Sequence, residues 1–317
     1  MSKIVREIFN HKEFEGRPPV LVDIGASGEI HDVWKVIAPY SICLAFDADT
    51  RDFSVDESGD SGFFRLFRIN RIVSDKETSK SDFWLTKYPH CSSSLEPDVR
   101  SVSNWAFGKY FEVEEKIQLS SVTLEKALDS CGLDYIDYFK TDSQGTDLRI
   151  FASLPDRMQS DITVAEFEPG IIDAYQGEDK LHSLMSFMDE KPFWVQDMKT
   201  KGSHRIRMHD FERLNGIQKK FIAGFIPMSP GWCEISYFNS FSGSNNLRNL
   251  LLGWIFAINR GEFGFAFELI SQAKQLSDDP IIQKIENYTN RKLFWTHGSF
   301  VRKGFLSILK RLFSRVG

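Results

Sequence analysis

The chain of 317 residues is 42% hydrophobic and 26% charged, with a net charge of −5. That balance fits a packed core and excludes a protein that grips nucleic acid by neutralising phosphates over its whole surface. The four cysteines, at 43, 91, 131 and 233, form no CxxC pair and have no histidine at ligand spacing, which argues against structural zinc and a disulfide framework.

The N-terminus, MSKIVREIFNHKEFEGRPP, scatters charges through its apolar residues and shows no secretion signal. The most apolar window, Leu250 to Ile258, is far shorter than a membrane span, so a cytoplasmic location is expected. "PPVLVDIGASGEI" then reads as a buried strand, Val20 to Val22, entering a glycine turn. A helix-like stretch follows around Val33 to Ile37. "SICLAFDAD" reads as a second buried strand, and "FFRLFRINRIVSD" alternates as a third. Residues Ser81 to Glu114 are rich in turn formers and aromatics without a clear period, which predicts an insertion of short strands and loops. "TLEKALDSCGL" predicts a helix capped at Ser121 or Thr123 and closed by Gly132. "IDYFKTDSQGTDLRIF" reads as strand, turn and helix, and "DITVAEFEPG" as the next strand. "FWVQDM", "HRIRMHDF" and "WCEISYFN" read as late antiparallel strands and their connections.

Strands alternating with helices predict an α/β fold with a mostly parallel sheet. After "FSGSNN", a linker of small polar residues, the chain reads as helical, with an αα-hairpin across the "NRGEFG" turn. The predicted division is 1–240 and 241–317. In the tail, "FVRKGFLSILKRLFSRVG", apolar residues fall on one helical stripe beside Arg302, Lys303, Lys310, Arg311 and Arg315. Such a basic amphipathic segment suits an anionic membrane surface, docking on the chain's own domain, or a partner.

Asp23, Asp47, Asp142 and Glu166 all fall at predicted strand ends, where α/β sheets bind ligands. An acid before the turn and an incomplete glycine motif disfavour a dinucleotide pyrophosphate and suit a cationic ligand, although a Gly-rich turn can also be purely structural.

"VDIGASGE", "LAFDAD", "SSSLEP", "TLEKAL", "IDYFKTDSQGTDLRIF" and "VAEFEP" stand in the order seen in the FkbM-type family of class I S-adenosylmethionine-dependent methyltransferases, which the chain resembles from about Val20 to Glu168. The most specific piece is Lys140, Asp142, Gln144, Gly145 and Asp147. The resemblance implies a Rossmann-like class I methyltransferase sheet with an antiparallel late strand, S-adenosyl-L-methionine as cofactor, and O-methylation of a hydroxyl on a sugar, glycan or secondary metabolite.

By the same resemblance, Asp23, Gly25, Ala26, Ser27 and Gly28 hold the amino-acid part of the cofactor and Asp47 takes the ribose hydroxyls. Ala48 and Asp49 lie just beyond, and Asp75 approaches the adenine. Ser93, Ser94, Gln144 and Glu168 are the candidate acceptor contacts. Methyl transfer to a hydroxyl needs a proton acceptor, and the candidates are Asp142, Glu166 and His90. Glu166 and Glu168 alternate onto one side, and Lys140 is placed to pair with Asp142. Gln144 stands where relatives carry an acid, and a neutral amide has no proton affinity near neutrality, so nothing supports a metal. Phe83, Trp84, Tyr88, Trp105 and Phe107 form either a sugar-stacking wall or a satellite core. An NAD-linked oxidoreductase and a non-catalytic membrane-peripheral scaffold are the alternative readings; oligomeric state is not encoded in any motif.

Overall fold

The computed structural model describes residues 2–26, 31–49, 51, 61–242 and 246–294. They form two compact units, one from 18–242 and one from 1–17 together with 243–317. The predicted division assigned 1–240 to a single domain, whereas the first seventeen residues group with the C-terminal helices. The reason lies in contacts within that unit. Arg248 is 3% exposed, its Nε donates to the carbonyl of Arg17 at 3.2 Å, and its guanidinium lies 5.2 Å from the Phe14 ring centroid. Lys284 pairs with Glu7 at 2.9 Å and His11 with Asp279 at 3.0 Å.

The described residues of unit 18–242 carry strands β1 Val20–Ile24, β2 Ile42–Phe46, β3 Arg65–Ile69, β4 Ile72–Val73, β5 Ser81–Thr86, β6 Val113–Leu119, β7 Ser121–Val122, β8 Tyr138–Thr141, β9 Val164–Phe167, β10 Phe193–Ser203 and β11 Ser229–Asn239. Seven of them make the central sheet in the order β10-β11-β9-β8-β1-β2-β3. β1, β2, β3, β8 and β9 run parallel, while β11 runs against both β9 and β10. This is the expected α/β fold with a mostly parallel sheet and a reversed late strand. β5 and β6 pair as a separate antiparallel ribbon that starts in the predicted insertion, Ser81 to Glu114, and runs past its end to Leu119.

Local chemistry explains most elements. The first three residues of β1 are apolar without alternation because both faces are covered there: Val20, Leu21 and Val22 are all fully buried. The helix Leu124–Ser130 starts at Thr123, whose side chain accepts from the Lys126 amide, and Gly132 follows at φ 72°. Ser121 belongs instead to β7. Residues 32–37 form turns leading into a 3-10 turn, Ala38–Tyr40, rather than a helix. Pro39 at its first positions is compatible with that start and not with a helix running through it. "HRIRMHDF" lies in the β10–β11 connection and includes the short helix Met208–Glu212. The predicted αα-hairpin is present as Leu247–Arg260 and Phe263–Leu276, with Gly261 at φ 81° between them. Residues 280–294 are also helical. No helix among the described residues is long and apolar enough to cross a membrane. The tail stripe from Val301 on lies outside the described residues.

The main core packs helices against one sheet face, with Val22, Leu44, Phe139 and Phe167 meeting Leu128 and Phe151. Phe151 is fully buried and sits edge-on to Phe139, Phe167, Phe187 and Phe193, with centroids 5.2–6.3 Å away. Phe151→Ala is therefore expected to destabilise by about 3–4 kcal/mol in urea unfolding; a loss under about 1 kcal/mol would mean that the ring is not central to the core.

Candidate functional site

The order of the sheet creates the site. From β1 the chain moves outward through β2 and β3 and then returns to β8 on the other side of β1. Beyond the carboxyl ends of β1 and β8 the connections therefore diverge, and a crevice opens there. β1 ends at Gly25, whose φ of 78° and tight surroundings both demand glycine, since an added Cβ would stand 2.3 Å from the Asp142 carbonyl oxygen. The amides of Gly25 and Ala26 donate to the Phe46 carbonyl at 2.9 and 3.0 Å, which locks the β1 and β2 ends together.

The crevice encloses about 700 Å³, open mouth included, between Gly25, Asp47, Ala48, Asp49, Asp142 and Gln144. Arg71, Ile72, Val73 and Phe83 close one side; His90, Ser92 and Ser94 close another. Asp47 Oδ1 accepts from the Asp49 amide at 2.8 Å. Asp49 is bound by Arg51 at 2.6 Å, and Arg51 also donates to Ser92 Oγ and the Thr86 carbonyl. Burial works against the Asp49 charge, but the hydrogen bonds from Arg51 prevail and hold its carboxyl below the usual range.

The β8 turn is built around Asp147, which is 1% exposed. Its Oδ1 accepts from Thr141 Oγ1 at 3.0 Å, the Ser143 amide at 2.9 Å and the Ser143 hydroxyl, and its Oδ2 accepts from the Glu168 amide at 2.8 Å. Burial still raises its carboxyl above the usual value. The turn that results places Gln144 at φ 56° and Gly145 at φ 107°. Gln144 Nε2 donates to Asp142 Oδ1, while Gln144 Oε1 accepts from the Tyr175 hydroxyl at 2.8 Å.

Gln144 and His90 are shared with a second cavity of about 1180 Å³, open space included, whose walls hold Tyr88, Phe107, Tyr110, Phe111, Tyr175 and Trp232. Glu168 and Glu178 are its acids. Glu178 is bound by Lys180 at 2.5 Å. The Trp232 indole N–H is buried without a hydrogen-bond partner among the described residues.

Carboxylates outnumber cations here. Burial, with Asp147 adding repulsion, pushes Asp142 up to about 6 despite Lys140. Burial, followed by repulsion from Asp142, Asp147 and Glu234, pushes Glu168 up to about 9. Lys140 sits under opposing effects: burial disfavours its charge, but Asp23, Asp142 and Glu166 outweigh that and hold it above the usual lysine range.

The predicted residues fall into three groups. Gly25, Asp47, Ala48, Asp49, Ser94, His90, Asp142 and Gln144 meet at the crevice, and Glu168 lines the second cavity. Asp23, Glu166, Ser93 and Asp75 line neither. Asp23 is ion-paired to Lys140 at 2.6 Å, because sheet register places those residues side by side; the expected Lys140–Asp142 pair is thereby replaced. Glu166, next to Lys140 in register, accepts from Ser236 Oγ at 2.7 Å. Ser93 is buried and donates to the Gln144 carbonyl at 2.8 Å, which supports the turn. Asp75 is exposed, with Ser74 Oγ at 3.1 Å. The Ala26 amide only braces the turn, and Ser27 and Gly28 lie outside the described residues.

The aromatics divide between the two expectations. Trp105, Phe107 and Phe111 form a satellite core with Tyr175, while Phe107 and Tyr88 also line the second cavity and Phe83 lines the first. Trp84 instead lies under Lys116, whose ammonium is 4.5 Å from its centroid. Ser92, Arg71, Tyr175, Glu178 and Trp232 went unnoticed in the sequence. Only Ser92, beside the singled-out Ser93, carried a local signal.

Neither a family model, nor a curated protein, nor a solved structure matches the chain.

The folded protein keeps the Glu168 proton to about pH 9, while an unfolded chain releases it near 4.5. Protons bound to the native state exceed those on the unfolded state across that window, so this residue makes stability fall as pH rises through it. Glu168→Gln is expected to flatten that fall in melting temperatures taken between about pH 5 and pH 9; parallel profiles for the two proteins would show that Glu168 ionises normally.

Proposed function

We propose that the protein is an S-adenosylmethionine-dependent O-methyltransferase acting on a hydroxyl of a sugar, glycan or secondary metabolite. The observation that carries this reading is a crevice at the sheet's switch point, walled by Gly25, Asp47 and Asp142 and rich in carboxylates, with a second cavity meeting it at Gln144 and His90. The reversed late strand and the sequence resemblance support it further.

The residues present fit the cofactor. Gly25 lets the Asp142 backbone come close to the end of β1, which draws the two strand ends together at the crevice, and an acidic wall complements a cationic, phosphate-free nucleoside. A nicotinamide dinucleotide would bring a pyrophosphate against Asp47, Asp49 and Asp142, with Arg71 the basic residue among those lining the crevice, and that repulsion disfavours the oxidoreductase alternative. Bound S-adenosylmethionine supplies a methyl group on a positively charged sulfur, open to direct displacement by oxygen.

The chain's part is positioning and proton transfer. Asp47 stands at the end of β2, where an acid can accept from ribose hydroxyls. Asp142, pushed up to about 6, is mostly ionised at neutral pH yet basic enough to take a hydroxyl proton. His90 borders both cavities and is the second candidate for that proton. Glu168, pushed up to about 9, keeps its proton at neutral pH and is suited to donate a hydrogen bond to an acceptor oxygen. Glu166 is the weakest of the three proton-acceptor candidates, since it lines neither cavity.

Calorimetric titration separates the readings. S-adenosylmethionine and S-adenosylhomocysteine are expected to bind and NAD is not; binding of NAD alone would replace this reading with the oxidoreductase, and binding of none with the scaffold. Because only the sulfonium is charged, its advantage over the neutral homocysteine compound is expected to grow as Asp142 ionises around pH 6; a ratio independent of pH would remove Asp142 from the cofactor's surroundings.

Once an acceptor is in hand, Asp142→Asn is expected to lower kcat about 100-fold or more, with a smaller effect on KM. Full turnover in that variant would assign the proton to His90.

A further inference from the structure

The β10–β11 connection, residues 204–228, carries a feature that methyl transfer does not explain. Its helix Gly216–Phe225 is well formed, closed at its start by a reciprocal cap between Asn215 and Gln218. Yet Ile217, Phe221 and Phe225 are 81%, 55% and 76% exposed. Their spacing of four residues puts them on one face, and the Phe221 and Phe225 rings stack 5.1 Å apart. Ile226 and Met228 continue the apolar surface at 45% and 64% exposure. A contiguous patch of this kind, unlike isolated surface apolar residues, marks an interaction surface.

Charge indicates the partner. The connection holds Arg205, Arg207, Arg213, Lys219 and Lys220 against Asp210 and Glu212, a local excess of cations in a chain whose net charge is −5. Lys219 lies on the opposite face of the helix from the stripe and turns back toward the preceding turn, its ammonium on the Glu212 carbonyl at 3.2 Å and 5.6 Å from the Phe211 centroid. Lys220 and Arg213 are exposed. A second copy docking through this patch would bring the same cations against one another across a two-fold axis. The chain's own basic tail would meet the same repulsion. An anionic bilayer surface accepts the aromatic and aliphatic side chains at the acyl boundary and the flanking cations at its headgroups.

We propose that the stripe Ile217, Phe221, Phe225, Ile226 and Met228, together with the exposed cations Lys220 and Arg213, docks the protein onto an anionic membrane surface. The strands on either side of the connection supply Gly202, Ser203, Gly231 and Trp232 to the aromatic cavity. Docking therefore tethers at a membrane surface the unit that carries that cavity. On the methyltransferase reading, the acceptor is then a hydroxyl compound held at the membrane by a lipid anchor. The docking itself does not depend on that reading.

Flotation of the full chain with vesicles of phosphatidylcholine, with or without phosphatidylserine, tests the proposal. The protein is expected to float with the anionic vesicles. Phe221→Glu combined with Phe225→Glu is expected to reduce that binding about tenfold or more, while Arg213→Glu with Lys220→Glu is expected to abolish the preference for phosphatidylserine. Unchanged melting temperature and unchanged S-adenosylmethionine titration in both variants separate lost docking from lost fold or lost cofactor site. The proposal is overturned if the native chain does not float with anionic vesicles, or if the double glutamate variant floats as well as the native chain, which would assign binding to another segment. It is equally overturned if light scattering shows a dimer that the glutamates dissociate.

Discussion

The site depends on one buried carboxylate. Asp147 receives hydrogen bonds from Thr141 at the end of β8, from Ser143 in the turn and from the Glu168 amide beyond β9. Two neighbouring strand ends and the loop between them are thereby held to a single acceptor, and the chain has to double back through the left-handed region at Gln144 and Gly145. Hydrogen bonds from several donors are what make a charge tolerable in such a place. They also make the turn rigid, which is what a site that works by positioning requires.

That arrangement concentrates negative charge. Asp142 and Glu168 lie close enough to Asp147 to feel its charge, and Lys140, the lysine that acts on both, gives its hydrogen bond to Asp23. The excess is unfavourable to the empty protein and favourable to a cation entering the crevice, so part of the ligand's binding energy is already stored as repulsion among the acids. A row of partners, Asp23 to Lys140 and Glu166 to Ser236, runs across β1, β8, β9 and β11 on adjacent register positions. It satisfies two of the strand-end acids inside the sheet and leaves the others for the cleft.

What the sequence made legible was local. The cap at Thr123, the glycine after it, the hairpin at Gly261 and the turn from Asp142 to Asp147 each depend on residues a few positions apart, and each is where it was expected. The crevice acids at Asp47 and Asp142 were also legible, because a carboxylate at the tip of an apolar run has no packing reason to be there. The pairing of Asp23 with Lys140 was not, since it joins residues 117 positions apart and depends on which strand lies beside β1. The aromatic cavity was only half legible for the same reason: Tyr88 and Phe107 come from the insertion, but Tyr175 and Trp232 arrive from later loops and strands. The grouping of residues 1–17 with the distant helices leaves no local signature either.

Gln144 joins the two cavities through the valence of its hydrogen bonds. The Tyr175 hydroxyl has one proton and faces two acceptors, the Cys91 carbonyl at 2.9 Å and Gln144 Oε1 at 2.8 Å. With Asp142 ionised, the amide must turn its nitrogen toward that carboxylate, and the tyrosine proton is shared. Once Asp142 takes up a proton, the reversed amide is satisfied equally well, with its oxygen accepting from the acid and its nitrogen donating to the tyrosine oxygen. In that arrangement the tyrosine proton belongs to the Cys91 carbonyl alone. A proton arriving at the floor of one cavity thus opens a second hydrogen-bond arrangement in the wall of the other, one that needs no movement of the backbone.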